Sequence, residues 1–158
     1  MGWPDAGQEL LRELRAGRDR YALIVADDPR DSDLVVERMS EDLDLSTVRV
    51  GAACADLDTP PGLRDIEAAC GAAVILTDIE LLFSPEIHVD VLAFLVGRAR
   101  RLPTMAAWPG IVVGRRALYS APGRPDHFDR SLSDVVLLRL RPTQFPDETP
   151  FEVERIAP

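Results

Sequence analysis

The stretch 71–110, GAAVILTDIELLFSPEIHVDVLAFLVGRARRLPTMAAWPG, decides how the rest of the chain is read. Val74, Ile75 and Leu76 form a short continuous apolar run ending in Thr77, Asp78 and Glu80. That is the profile of a strand buried on both faces which delivers acids to one edge of a sheet. From His88 to Arg101 the residues Val91, Leu92, Leu95 and Val96 recur at helical spacings, with Arg98, Arg100 and Arg101 in the last turn, where cations suit the helix dipole. Pro103 stops this helix, and 105–108 reads as the next strand, closed by Trp108, Pro109 and Gly110.

Working outward, QELLRELR (8–15) sets Leu10, Leu11 and Leu14 on one helical stripe, and YALIVA (21–26) reads as a buried strand. The turn DDPRDSD (27–33) leads into a helix expected to turn Leu34, Val35, Met39 and Leu43 inward. STVRV (46–50) is a second strand by its β-branched content, followed by a Pro-Pro-Gly loop (58–62) and a short helix (63–70). Beyond the central stretch, 111–120 is a hairpin or an extension, 121–131 a loop and DVVLLRL (134–140) a fifth strand. The segment 142–158 is expected to close the chain as an extended, proline-rich tail pinned by Phe145, Phe151 and Val153. Strands alternating with helices imply a single α/β domain over 1–158, a three-layer parallel sheet with right-handed crossovers. Ligands in such sheets bind beyond the carboxyl ends of the strands, here 26–33, 77–80 and 108–110.

A chain of 158 residues, 46% hydrophobic, can bury a sizeable core. No apolar run approaches the roughly 20 residues needed to span a bilayer, and the acidic, polar start MGWPDAGQELLREL is unlike a signal peptide, so a cytoplasmic protein without membrane contact is expected. Cys54 and Cys70 have neither CxxC nor Cys/His spacing, which argues against a zinc site, and the compartment argues against a disulfide. The net charge of -9 is unevenly spread: residues 1–90 hold 8 Arg against 20 acids (-12), residues 91–158 hold 10 Arg against 7 (+3). An acidic protein is a poor general nucleic-acid binder, which leaves only a local arginine surface for that role. All 18 basic residues are arginine, so every mechanism that needs a lysine is excluded.

The turn after the first strand is where a P-loop places glycines, a lysine and a Ser/Thr around phosphates. Here stand Asp27, Asp28, Pro29, Arg30, Asp31, Ser32 and Asp33, with no glycine and no lysine. Carboxylates in that turn repel a triphosphate, each pair by about 4 kcal/mol at roughly 4 Å and an effective dielectric near 20. A divalent metal held by Asp27, Asp28 and Asp78 would reverse the sign; otherwise no catalytic residue, no nucleotide and no metal is expected, with ATP and magnesium disfavoured. An acidic pair near a strand-end aspartate also suits a phosphoryl-switch receiver, but that class needs a lysine after its last strand. Asp78 and Glu80 could hold magnesium and polarise water in an NTPase, chemistry that needs the missing phosphate cradle as well. No GxSxG, HExxH or EF-hand spacing occurs, and His88 and His127 read as isolated, solvated histidines. Arg98, Arg100, Arg101, Arg115 and Arg116, with Trp108 and Tyr119 as aromatic anchors, form the expected partner surface, for an acidic protein or a nucleic-acid backbone.

DIELLFSPEIHVDVLAFLVGRARRLPTMAAWPG (78–110), followed by LYSAPGRPDHFDRS (118–131), resembles the small P-loop protein BrxF of type 3 bacteriophage-exclusion (BREX) systems, in which IELLF-, Trp-x-Gly- and Tyr-Ala-x-Pro-Gly-like phrases recur in this order. The resemblance covers roughly 73–131 and extends to the first half only by element order. It implies a P-loop NTPase fold of the additional-strand (ASCE) type, with strands in the order 5-1-4-3-2, and a subunit of an anti-phage defence complex alongside a large ATPase, a methyltransferase and a phosphatase-like protein. The chain departs from that pattern at the nucleotide motifs: DDPRDSD replaces the glycine-lysine loop, Thr77 stands where a strand-ending acid is expected, and Pro109 replaces the polar residue between Trp108 and Gly110. The expectation is therefore a degenerate P-loop fold acting as a non-catalytic subunit through protein contacts, with a metal-dependent NTPase or receiver and a DNA-contacting adaptor as the alternatives.

Overall fold

A computed structural model describes residues 2–17 and 20–158. The chain runs α1 (Asp5–Ala16), β1 (Tyr21–Val25), α2 (Pro29–Leu43), β2 (Thr47–Arg49), α3 (Val50–Ala53), α4 (Leu63–Cys70), β3 (Ile75–Thr77), a 3-10 turn (Glu80–Phe83), α5 (Val91–Ala99) and β4 (Met105–Ala107). It continues through β5 (Ile111–Val113), β6 (Arg116–Tyr119), β7 (Phe128–Ser131), β8 (Val135–Leu140) and β9 (Phe151–Ile156). Six strands form a mixed sheet in the order β2-β3-β4-β1-β8-β9, parallel except for β9. The five strands read from the sequence stand in the order 5-1-4-3-2.

The alternation of side chains along β1 shows why the sheet is covered on both sides. All five residues of β1 are buried, and successive side chains point to opposite faces. Tyr21, Leu23 and Val25 join a core with Ile66 of α4, Leu95 of α5 and Ala117 of β6, whereas Ala22 and Ile24 join a core with Leu10, Leu11 and Leu14 of α1 and Met39 of α2. Each large apolar side chain so buried contributes on the order of 1.5–3 kcal/mol. This gives an α/β protein with helices on both faces of a mostly parallel sheet. No described helix is long and apolar enough to cross a membrane.

Several elements differ from the sequence reading, each for a local reason. The tail is not merely extended: β9 pairs antiparallel with β8, Leu140 opposite Phe151 and Val135 opposite Ile156. Phe151 is buried edge-on against Trp3, with ring centroids 5.8 Å apart, while Phe145 and Val153 stay exposed. The segment 121–131 is not all loop, because Phe128–Ser131 adds a third strand to the β5–β6 hairpin. FDRS has one apolar residue, too few for a period-2 signal. In α2 the inner stripe is Ser32, Val36, Met39 and Leu43, which leaves Leu34 exposed. That spacing of four, three and four is the helical repeat, and Leu34 lies off it. Val50, read as strand, opens the short helix α3.

Candidate functional site

The carboxyl ends of β1, β3 and β4 are where an open α/β sheet holds a ligand. The connection from β1 to α2 comprises only residues 26–28. Asp28 is the N-cap of α2: the Arg30 amide donates to Asp28 Oδ1 (2.9 Å), and the Arg30 guanidinium folds back onto Asp28 Oδ2 through Nη2 (3.0 Å). These bonds, the guanidinium contact foremost, hold the Asp28 carboxyl below its ordinary range. Asp27, Asp31 and Asp33 are exposed around this turn. Ser32, where a P-loop would present a hydroxyl to magnesium, is instead 3% exposed on the inner stripe of α2.

At the end of β3 the chain turns through Asp78 with φ 54°. Its carbonyl accepts the Gly51 amide (2.9 Å) and its carboxylate Oδ2 accepts the Ala52 amide (3.0 Å), so the acid expected to face a ligand ties β3 to the start of α3. The contact requires glycine at 51, where a Cβ would lie 2.7 Å from Asp78 Oδ2. Thr77 Oγ1 donates to the Val48 carbonyl (3.3 Å). Glu80 opens the 3-10 turn, and its carboxyl is pushed up by desolvation above all, then by a hydrogen bond with Asp78 and the negative charges of Asp78 and Asp33. Among the described residues, no three His, Cys, Asp or Glu side chains are grouped so as to hold a metal ion. Beside the edge lie two hollows. One, of about 390 Å³, touches Asp27, Asp31 and Arg141; the other, of about 400 Å³, touches Asp33, Glu37 and Glu41.

The expected partner surface is not one surface. Arg98 is 2% exposed, and its Nη2 donates to the carbonyls of Gly71 (3.1 Å) and Ala73 (2.6 Å). Burial lowers the pKa of this guanidinium, whose Nε has no hydrogen-bond partner among the described residues. The reason is visible in the helix: Val91, Phe94, Leu95 and Arg98 share its inner stripe. Trp108 is likewise buried, 1% exposed, with Nε1 donating to the Leu118 carbonyl (3.1 Å) and its ring edge-on to Phe83 at 5.4 Å. Arg98 and Trp108 are thus core residues, which corrects their assignment as contact residues. Tyr119 is half-buried and stacked on Phe83 at 4.2 Å.

The remaining arginines are exposed but scattered. Arg101 pairs with Glu67 (3.8 Å), Arg115 donates to the Ala157 carbonyl (3.0 Å), and Arg116 pairs with Asp129 (2.7 Å). Arg100 and Arg101 follow α5 at the amino-terminal side of the sheet, because α5 runs antiparallel to the strands it connects and Arg98 reaches carbonyls just before β3. They therefore stand apart from the carboxyl ends of the strands and from Arg115 and Arg116 of the small sheet.

A feature the sequence reading passed over is a cleft of about 510 Å³ between the start of α5 and the β6–β7 connection, lined by both histidines, His88 and His127, together with Asp90, Asp126 and Arg130. Nothing in local spacing brings positions 88 and 127 together. Only the placement of β7 beside β6 does so, and β7 carries almost no pattern of its own.

The geometry thus defines an α/β protein in which two of the strand-end acids, Asp28 and Asp78, are engaged with the protein's own backbone. No protein-family model, curated protein or solved structure matches the chain.

Proposed function

We propose that this chain is a non-catalytic, P-loop-like subunit that works through protein–protein contacts within a BREX-like anti-phage defence complex. The observation that carries the non-catalytic part is the three-residue connection of β1 to α2, sealed by the Asp28–Arg30 contact. A phosphate cradle needs a glycine-rich loop of about eight residues, wide enough for several amides to converge on phosphate oxygens. Three residues cannot wrap a triphosphate, and the only nearby cation in the turn is already bound to Asp28. The strand order supports a P-loop-like ancestry, and the resemblance of roughly 73–131 to BrxF supports the defence role.

The arrangement disfavours the two other readings. A metal-dependent hydrolase would need Asp78 free to coordinate, whereas its carboxylate caps α3. A DNA-contacting adaptor would need arginines along one face, whereas Arg100 and Arg101 lie at a different edge from the turn acids and Arg115 and Arg116 brace the small sheet.

Calorimetric titration of ATP with magnesium tests the degenerate edge: no heat of binding is expected at micromolar nucleotide, and micromolar affinity would overturn the reading. For the defence role, loss of the protein from a host carrying its system is expected to raise phage plating efficiency. Unchanged plating would remove that part of the proposal.

A further inference from the structure

The histidine cleft has the size of a small-molecule pocket, about 510 Å³, and an apolar base formed by Leu82, Phe83, Val91 and Phe128. Both of its acids are matched by arginines. Asp90 Oδ2 accepts from Arg130 Nη2 (3.1 Å), while Asp90 Oδ1 accepts the Ala93 amide at the start of α5 (3.0 Å). Asp126 accepts from Ser120 Oγ (2.6 Å) and lies 3.7 Å from Arg124 Nε. The acids therefore have partners within the walls, and the exposed Arg130 guanidinium lies over Phe128, 5.8 Å from the ring centroid.

What is left over is donor capacity. A guanidinium has five N–H donors in a planar fork, and among the described residues only Nη2 of Arg130 has a protein acceptor. Neither imidazole has a protein hydrogen-bond partner among the described residues. His88 is also held at φ 56°, a conformation non-glycine residues adopt sparingly and one that tends to persist at binding sites. An arginine anchored by a carboxylate and presenting its remaining N–H groups is the arrangement that receives a second oxyanion.

We propose that this cleft binds a small organic anion, its apolar body against Leu82, Phe83, Val91 and Phe128 and its oxyanion between Arg130 and the imidazoles of His88 and His127. The shared chemistry is a carboxylate or a phosphate monoester on an apolar body. The site is separate from the β1–α2 turn, so it stands whether or not that turn binds nucleotide.

The test uses phenylacetate and phenyl phosphate as probes and benzyl alcohol as the uncharged control, followed by NMR of the imidazole signals. With only two histidines in the chain, both signals are expected to move with one shared midpoint. At least one anion should bind about tenfold or more tightly than the alcohol, the effect expected of a charge-assisted contact. Arg130→Met should weaken that anion about tenfold, while Arg116→Met, in the same small sheet outside the cleft, should leave it unchanged. If Arg130→Met does not fold, the double variant His88→Ala/His127→Ala, read by calorimetry, is held to the same tenfold criterion. Absence of saturable binding by either anion, separate midpoints for the two imidazoles, equal affinity for the alcohol, or binding that survives the cleft substitutions would overturn the proposal. The relative affinity of the two anions tells a carboxylate source from a phosphate one.

Discussion

The crevice at the ends of β1 and β3 and the cleft beside α5 draw on similar polar residues and differ in what those residues leave open. In the crevice the carboxylates of Asp28 and Asp78 accept backbone amides and so close the protein upon itself. In the cleft Asp90 likewise accepts a backbone amide, from Ala93, and Asp90 and Asp126 have Arg130, Arg124 and Ser120 as partners, but among the described residues the imidazoles of His88 and His127 and every Arg130 N–H group outside Nη2 lack a protein partner. The cleft's open donors belong to exposed residues, His88, His127 and Arg130, so water occupies them until a ligand displaces it. At the position where ligands ordinarily bind, Asp28 and Asp78 are thus engaged internally while Ser32 Oγ is buried without a partner among the described residues, and the cleft's open donors lie to one side.

The largest effect should come from Gly110, which supports the aromatic back of the cleft. A Cβ there would lie 1.9 Å from the Leu118 carbonyl oxygen, the same oxygen that accepts from Trp108 Nε1. Neither backbone can yield without moving β6 off the end of β4, so Gly110→Ala is expected to cost about 3 kcal/mol, read as a lowered denaturation midpoint. A loss below about 1 kcal/mol would mean that β6 is not held against β4 as tightly as that contact requires.

On the crevice side the expected loss is smaller. Asp78→Ala removes the acceptor for the Ala52 amide and places alanine at φ 54°, and about 1–2 kcal/mol should be lost. Asp78→Asn keeps a side-chain oxygen and a residue tolerant of that conformation, and should recover most of the stability. If both variants were as stable as the parent, Asp78 would not be serving as a cap and would again be available to a ligand.

These contrasts also explain what the sequence made legible. The central strands are continuous apolar runs flanked by helical patterns, so their two-faced burial follows from periodicity, whereas their order was what the resemblance implied. The C-terminal strand had a readable signal in the alternation of Phe151 and Val153 with Glu152 and Glu154, masked by the prolines before it. The inward turn of Arg98 was readable as well, since it falls three residues after Leu95 and seven after Val91. An arginine in the last turn of a helix more often faces water, and here two backbone carbonyls ahead of β3 provide its partners. The histidine cleft was not readable: it depends on where a polar four-residue strand pairs, and pairing is a long-range property that local pattern does not encode.

The smallest predicted effect tests the electrostatics of the crevice. Glu80 has a folded-state pKa raised above its ordinary value of 4.5, with desolvation first and the Asp78 and Asp33 charges added. A carboxyl whose folded pKa is raised binds its proton more tightly in the native state, so its contribution is fully present below the unfolded pKa and is lost as pH rises through the folded one. Glu80→Gln should therefore melt higher than the parent at neutral pH, and the difference should vanish as pH falls below about 4.5. Because the side chain is exposed at the rim, solvent screening limits the gain to under about 1 kcal/mol. Melting curves across pH 3–8 decide it. A variant that melts lower than the parent at neutral pH would mean that the Glu80 carboxylate is stabilised there by a cation or donor. The crevice would then share the cleft's character, and the contrast between the two regions would fail.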